Sequence, residues 1–181
     1  LNVNGANPAF TATAGIGAGS EIVLTNTSGL GTGTVTDNGM LTISQAAGTF
    51  TNPMAGTGSL QIKDNANVTL VNARTHRGGT TVSGSTLTTS TDAALGNAAS
   101  PLTLNNATFK FGAAFNIAPT RPVALANDVV VDTAAFSTTL NQSITGSGSL
   151  TKTGTGRLSI TGNSPYNGAI TVGAGEMKIN A

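Results

Sequence analysis

The sequence predicts an all-β solenoid, a single chain wound into parallel coils of about 19–22 residues. Three observations predict it: a composition unsuited to a conventional core, apolar residues that alternate with small polar ones, and a recurring apolar phase near 19 residues. Only 8% of the 181 residues are charged and 4% aromatic, with no Trp and 24 glycines. Globular chains usually carry about a quarter charged residues. A narrow interior filled by Leu, Ile, Val and small residues accounts for this composition. Disorder does not, because β-branched residues recur throughout.

The alternation is read in short runs: Ile22-Val23-Leu24, Leu41-Thr42-Ile43, Leu60-Gln61-Ile62, Val68-Thr69-Leu70, Leu102-Thr103-Leu104 and Leu158-Ser159-Ile160. Period two in β-branched company is the mark of half-buried strands. Gly and Asn interrupt the runs at Asp37-Asn38-Gly39, Gly154-Thr155-Gly156, Gly162-Asn163 and Gly173-Ala174-Gly175, which reads as turns. Only Thr91 to Gly96 resembles helix, and it is short enough for a single turn.

The repeat follows from residue numbers. Val3, Ile22, Leu41 and Leu60 stand 19 apart, as do Leu24, Ile43 and Ile62, and Ile16, Val35 and Met54. The spacing then loosens to 20–22 through Ile62, Val82, Leu104 and Leu125, and returns to 19 between Leu158 and Met177 and between Ile160 and Ile179. Such in-phase ladders predict strands stacked on their equivalents in the next coil. About nine coils, each about 4.8 Å thick, would make a rod on the order of 40 Å long. A β-sandwich also spaces strands regularly, but it does not require one apolar phase across successive units.

A longer self-similarity lies at 90 residues. Gly56-Thr57-Gly58-Ser59-Leu60 matches Gly146-Ser147-Gly148-Ser149-Leu150, and His76 falls on Tyr166 (166 − 76 = 90). The second copy carries Leu150, Lys152, Gly154, Gly156, Leu158, Gly162, Asn163, Tyr166, Gly168, Thr171, Val172 and Gly175 in order. This pattern closely resembles the autotransporter-associated β-strand repeat, also called the passenger-associated transport repeat, over residues 146–179. Arg121-Pro122-Val123-Ala124-Leu125 and Asp132-Thr133 resemble the family's lead-in. Residues 56–89 read as a degenerate repeat, lacking the Lys-x-Gly-x-Gly core and carrying His76 in place of the aromatic. The resemblance implies a right-handed single-stranded parallel β-helix, with residues 1–181 one fragment of a longer Gram-negative autotransporter passenger. It also implies export through the outer membrane and a C-terminal β-barrel, outside this sequence, as the rod's partner. Coils near the membrane would fold first and template those behind them. Gly154 and Gly156 suit corners needing positive φ, Leu158 and Ile160 the core, and Tyr166 an apolar corner with its hydroxyl in water. Neither end reads as capped, so further coils are expected beyond the C-terminal side.

Chemistry is sparse. His76, the only histidine, lies in Arg74-Thr75-His76-Arg77, which reads as a surface loop. Asp64, Asp92 and many serines are near enough in sequence to raise a triad, but no nucleophile elbow occurs. A metal site lacks a second His or any Cys. Asp128 and Asp132 could flank a turn without sharing a face, which argues against a paired-acid glycosidase. Asp64-Asn65-Ala66-Asn67 half resembles a calcium loop but lacks its downstream Glu. Gly15-Ile16-Gly17-Ala18-Gly19 lacks the Lys-Ser/Thr of a phosphate cradle. Sequons at Asn26, Asn67, Asn106 and Asn141 are expected by chance in a chain so rich in Asn and Thr. No catalytic, cofactor or metal residue is therefore expected. A net charge of +1 gives no reason for a nucleic-acid partner.

The expected role is a non-catalytic stem that supports secretion and surface display at the outer membrane and contributes adhesion or aggregation, through host glycans, matrix proteins or self-association. The alternative is an inert stalk of an autotransporter enzyme, such as a subtilisin-like protease, whose catalytic domain lies elsewhere. Ice binding would need a Thr-x-Thr repeat more regular than Thr11/Thr13, Thr32/Thr34 and Thr86/Thr88.

Overall fold

A computed structural model describes residues 1–162 and 164–180. The motif's Asn163 and the terminal Ala181 lie outside the described residues. The chain forms a parallel β-solenoid of about 9 turns with almost no helix. Among the described residues nineteen strands are joined by corners, and every strand pairing is parallel. The sole helical element among the described residues is the 3-10 turn Asp92–Leu95, where Thr91 Oγ1 accepts from the Ala93 amide.

The ladders follow the predicted registers through most of the rod. Ile22, Leu41 and Leu60 stack, as do Leu24, Ile43 and Ile62. Ile62, Val82, Leu104 and Leu125 continue the column. Leu158 stacks on Met177 and Ile160 on Ile179. Alternation explains the core: in Ser59–Lys63 only Leu60 and Ile62 point inward and are fully buried.

Two ladders slip at their first member. Val3 pairs with Leu24, not Ile22, and Ile16 pairs with Asp37, not Val35, which takes Ala14. The opening coil spans 21 residues (24 − 3) where the next spans 19 (43 − 24). A corner of two extra residues keeps the same face inward, so the apolar phase survives while the partner changes.

Expected core positions Ile22, Leu24, Leu41, Ile43, Leu60, Ile62, Leu158 and Ile160 are buried. Val172 is 48% exposed and Met177 only half-buried. Both sit on inward columns, over Lys152 and Leu158. No strand among the described residues stacks on their far side, so their columns are covered from one direction only.

Two strands, Leu102–Phe111 and Val123–Asp132, run unbroken around a bend that other coils divide between two strands. Asn106 (φ 50°) and Asn127 (φ 53°) form the bend, and the register shifts between Asn105 and Ala107. Asn tolerates this left-handed backbone better than most residues. Gly154 has φ 78°, as expected, whereas Gly156 does not have positive φ. Gly156 is needed for close approach: an added Cβ would lie 1.8 Å from the Phe136 carbonyl oxygen.

Candidate functional site

The chain's polar chemistry is concentrated at corners, where the backbone leaves the ladder and its carbonyls lose their strand partners. Buried carbonyls need donors, and four inward side chains supply them. Asn52 Nδ2 donates to the carbonyls of Leu30 (3.2 Å), Gly31 (3.3 Å) and Gly33 (2.7 Å). Arg74 donates to Phe50 (2.7 Å), Asn72 (2.8 Å) and Ala94 (3.4 Å), and its guanidinium lies 5.1 Å from the Phe50 ring centroid. Lys152 Nζ reaches Thr133 Oγ1 (2.9 Å) and the carbonyls of Thr153 (2.8 Å), Gly154 (2.7 Å) and Ala174 (3.0 Å). Arg121, fully buried, spans the Asp92 carboxylate (2.8 and 3.1 Å) and the carbonyls of Asp92, Leu95, Gly96 and Ser100. It thereby fastens the 3-10 turn to the following coil.

His76 corrects the sequence expectation of a surface loop: it is fully buried, and Arg74 is 3% exposed. Inward phase explains both, since Arg74 and His76 alternate with exposed Ala73, Thr75 and Arg77. Thr80 Oγ1 donates to the Leu95 carbonyl (3.1 Å), so it accepts from His76 Nε2 (3.2 Å). The neutral ring thus carries its proton on Nε2, and Nδ1 makes no hydrogen bond. Burial foremost, then the Arg74 charge, pulls the pKa from 6.5 down to about 4, against a smaller opposing pull from the Gly79 backbone. Burial pulls the Arg74 pKa to about 10 and lowers that of Lys152, which Asp132 partly restores.

The residues weighed as a triad do not assemble. Asp92 is engaged by Arg121, and the hydroxyl facing His76 is that of Thr80, already committed to Leu95. Ser100 Oγ donates to the His76 and Arg77 carbonyls. Asp64 accepts from Ser44 (2.8 Å). Asp128 accepts from Ser149, and Asp132 pairs with Lys110 at 3.3 Å. Both acids lie on the outward face of one strand, about 13 Å apart along it, beyond the reach of paired glycosidase acids. Among the described residues, no group of three or more His, Cys, Asp or Glu could hold a metal ion. The hydroxyl of half-buried Tyr166 donates to the Gly148 and Ala169 carbonyls, and burial raises its pKa.

Outside, the strands present two neighbouring columns. One runs Ala47, Asn67, Thr86, Thr108, Val130, Thr151 and Thr171, the other Thr49, Thr69, Thr88, Lys110, Asp132 and Thr153. Lys110 and Asp132, in adjacent coils, neutralise each other. Asn67, Thr86 and Thr108 of the first column, with Asn65, Ser85 and Asn106 beside it, help line an open groove of about 460 Å³.

Sequence reasoning missed the buried donors. For Lys152 a signal was present: it stands two residues after Leu150, in the inward phase of Ser149–Thr153. Asn52, Arg74 and Arg121 lie in corners, where alternation gives no reliable direction.

No curated protein and no solved structure matches the chain. The family model described as Passenger-associated-transport-repeat matches residues 150–179. That span begins at Leu150, contains Lys152 and its corner, and ends at Ile179 in the last strand described. Residues 150–179 are therefore a passenger-associated transport repeat, and this repeat and the β-solenoid around it fit a segment of an autotransporter passenger.

Proposed function

We propose that the chain is a non-catalytic, surface-displayed stem whose threonine-bearing face associates with a second copy of the same rod. The observation that carries this is the pair of outward columns, in which Thr49, Thr69, Thr86, Thr88 and Thr108 stand in register across four successive coils, and Thr151 and Thr153 resume them beyond Val130 and Asp132. A face of short hydroxyl side chains, whose Lys110 and Asp132 charges pair with each other, offers many donors and acceptors, loses little side-chain entropy on contact, and carries no net charge to repel a second copy. Each net hydrogen bond contributes about 0.5–1.5 kcal/mol, so rods would hold firmly only through many coils. Secretion and display belong to the same reading: each coil buries apolar surface on its neighbour, which makes folding outside the membrane hard to reverse.

The test is Thr86→Glu with Thr88→Glu and Thr108→Glu in the full-length protein at the cell surface. Aggregation of cells should be lost while display is retained. Unchanged aggregation with normal display would leave the inert-stalk reading in its place.

A further inference from the structure

Three Asn-Gly steps occur in the sequence, at Asn4-Gly5, Asn38-Gly39 and Asn167-Gly168. Such a step is chemically labile because an unhindered glycine nitrogen can attack the preceding side-chain amide. Asn38-Gly39 differs from the others in what surrounds it. The Gly39 N–H, the nucleophile of that reaction, donates to Asp37 Oδ1 at 2.9 Å. The Asn38 carbonyl oxygen, Oδ1, accepts from the Thr57 amide and from Thr57 Oγ1, both at 3.2 Å. A backbone N–H can only donate, so the amide's orientation is fixed by its neighbour. Asp37 itself is fully buried, and its second oxygen, Oδ2, has no partner. Among the described residues, Asn4 Oδ1 has a single donor in Thr25 Oγ1 (3.3 Å), and neither Gly5 nor Gly168 has a carboxylate hydrogen-bonded to its nitrogen.

These groups match what acyl transfer requires: a base at the nucleophile and two donors at the oxygen where negative charge develops. We propose that Asn38 is a self-modifying site, with Gly39 N as nucleophile, Asp37 as general base and Thr57 as oxyanion donor. Asp37 takes the proton from Gly39 N as that nitrogen bonds to Asn38 Cγ. The tetrahedral oxyanion rests on Thr57 N and Oγ1. Its collapse breaks the Cγ–Nδ2 bond, and the protonated Asp37 returns its proton to the departing nitrogen, which leaves as ammonia. Water then opens the succinimide at either carbonyl, giving aspartate or isoaspartate. Burial raises the Asp37 pKa against the opposing Gly39 hydrogen bond, which strengthens the base.

The modification strikes a corner that ties three coils. Asn38 N donates to the Ile16 carbonyl (2.8 Å) and Gly58 N to the Asp37 carbonyl (2.8 Å). An isoaspartate adds a backbone methylene there, and an aspartate places a second carboxylate beside Asp37. Either loosens the junction between the first coils and the rest, so the site acts as a clock on this part of the rod.

The experiment ages the purified chain folded and in denaturing urea, and follows Asn38 by peptide mass spectrometry and isoaspartyl methyltransferase labelling. Asn38 should convert faster folded than unfolded, on the order of tenfold or more, whereas Asn4 and Asn167 should not. A folded rate equal to or below the unfolded rate at Asn38 would overturn the proposal. Asp37→Asn keeps an acceptor for Gly39 N but no base, and should remove the folded-state acceleration; retained acceleration in a folded variant also overturns it. Should that variant fail to fold, the wild-type pH profile decides. Conversion should rise through the titration of Asp37 and then level, and a rate proportional to hydroxide throughout would exclude Asp37 as base.

Discussion

Residues 56–89 and 146–179 place their strands at the same offset yet fill their corners differently. Asn67–Leu70 and Thr86–Thr89 lie 90 residues before Arg157–Ile160 and Glu176–Ile179. Gly56 and Gly146 open the two stretches with φ 112° and 108°, and an added Cβ on either would meet a neighbouring carbonyl oxygen at 2.0 Å. The residue equivalent to Lys152 in the first stretch, however, is Ile62, and the one equivalent to Tyr166 is His76. In the second stretch one ammonium satisfies the corner carbonyls. In the first, the equivalent carbonyls of Lys63 and Gly84 accept from backbone amides instead, those of Gln45 and Ala66 on the one and Asn65 on the other. The strands demand only apolar alternation, whereas each corner demands a donor, and either a side chain or the backbone can supply it.

The largest effect should come from destroying the second stretch. Leu158→Asp with Ile160→Asp puts two charges at positions that are 0% and 5% exposed, where an unpaired charge is strongly disfavoured. In the full-length protein, surface display should collapse, measured by surface labelling of intact cells. Ile22→Asp, in a coil remote from the transport repeat, should reduce display less. Equal loss from both would remove the idea that residues 146–179 template the rest.

Next come the donors themselves. Lys152→Met should destabilise the isolated chain by about 3 kcal/mol or more, because the carbonyls of Thr153, Gly154 and Ala174 lose their charged donor and each unsatisfied buried acceptor costs about 1–3 kcal/mol. Arg121→Met should cost a similar amount, leaving Asp92 and four corner carbonyls without their donor. Ile62→Met, the equivalent change in the first stretch, exchanges one apolar group for another and should cost less than about 1.5 kcal/mol. Urea denaturation checks all three. A Lys152→Met loss no larger than that of Ile62→Met would mean that the ammonium is dispensable.

This contrast also marks how far the sequence could be read. Strand positions, column registers and the short helical turn were legible because period two survives in nearly every coil. Leu60, Ile62, Leu158 and Ile160 needed nothing beyond alternation. The corners were not legible. Arg74 and His76 read as surface residues by chemistry, yet the coil turns them inward, where unpaired carbonyls make a buried guanidinium favourable. The slips at Val3 and Ile16 have the same origin, since a corner can gain two residues without disturbing the apolar phase. The outward Thr columns were only half visible, because Thr49, Thr69 and Thr88 become neighbours only once corner lengths fix the register.

Acid should separate the two stretches. Folded His76 binds its proton more weakly than an ordinary histidine, so the unfolded chain protonates first as pH falls. The stability is whole above pH 6.5, declines through the window to about pH 4 and levels below it. At about 1.4 kcal/mol per pH unit the loss is about 3–4 kcal/mol. Hydrogen exchange should therefore rise around residues 71–101 at pH 4.5, while residues 146–162, with Tyr166 in place of histidine, hold their protection apart from general acid effects. His76→Gln should remove most of the difference. A melting profile unchanged between wild type and that variant would show that His76 is not the group responsible.

The smallest effect, and the finest test of corner logic, is an exchange at one equivalent pair. Asp64 (φ 60°) stands where the other stretch has Gly154 (φ 78°). Asp64→Gly relieves a left-handed side-chain residue but gives up the Ser44 hydrogen bond, a part-buried contact of 2.8 Å. These terms are each about 1 kcal/mol and opposite in sign, so stability should change by less than about 1 kcal/mol. The reverse change is not symmetrical. A Cβ on Gly154 would lie 2.4 Å from the Ala134 nitrogen and 2.6 Å from Asp132 Oδ1. Gly154→Asp would also set a second carboxylate against Asp132, which already accepts from the Ala134 amide, and would move the carbonyl that Lys152 binds. It should therefore destabilise by clearly more than its counterpart, read as a shift in urea midpoint at constant slope. Equal shifts for the two variants would mean that the corner at residues 154–156 can relax as freely as that at 64–66, and that glycine there is a matter of backbone freedom alone and not of close approach to the neighbouring coil.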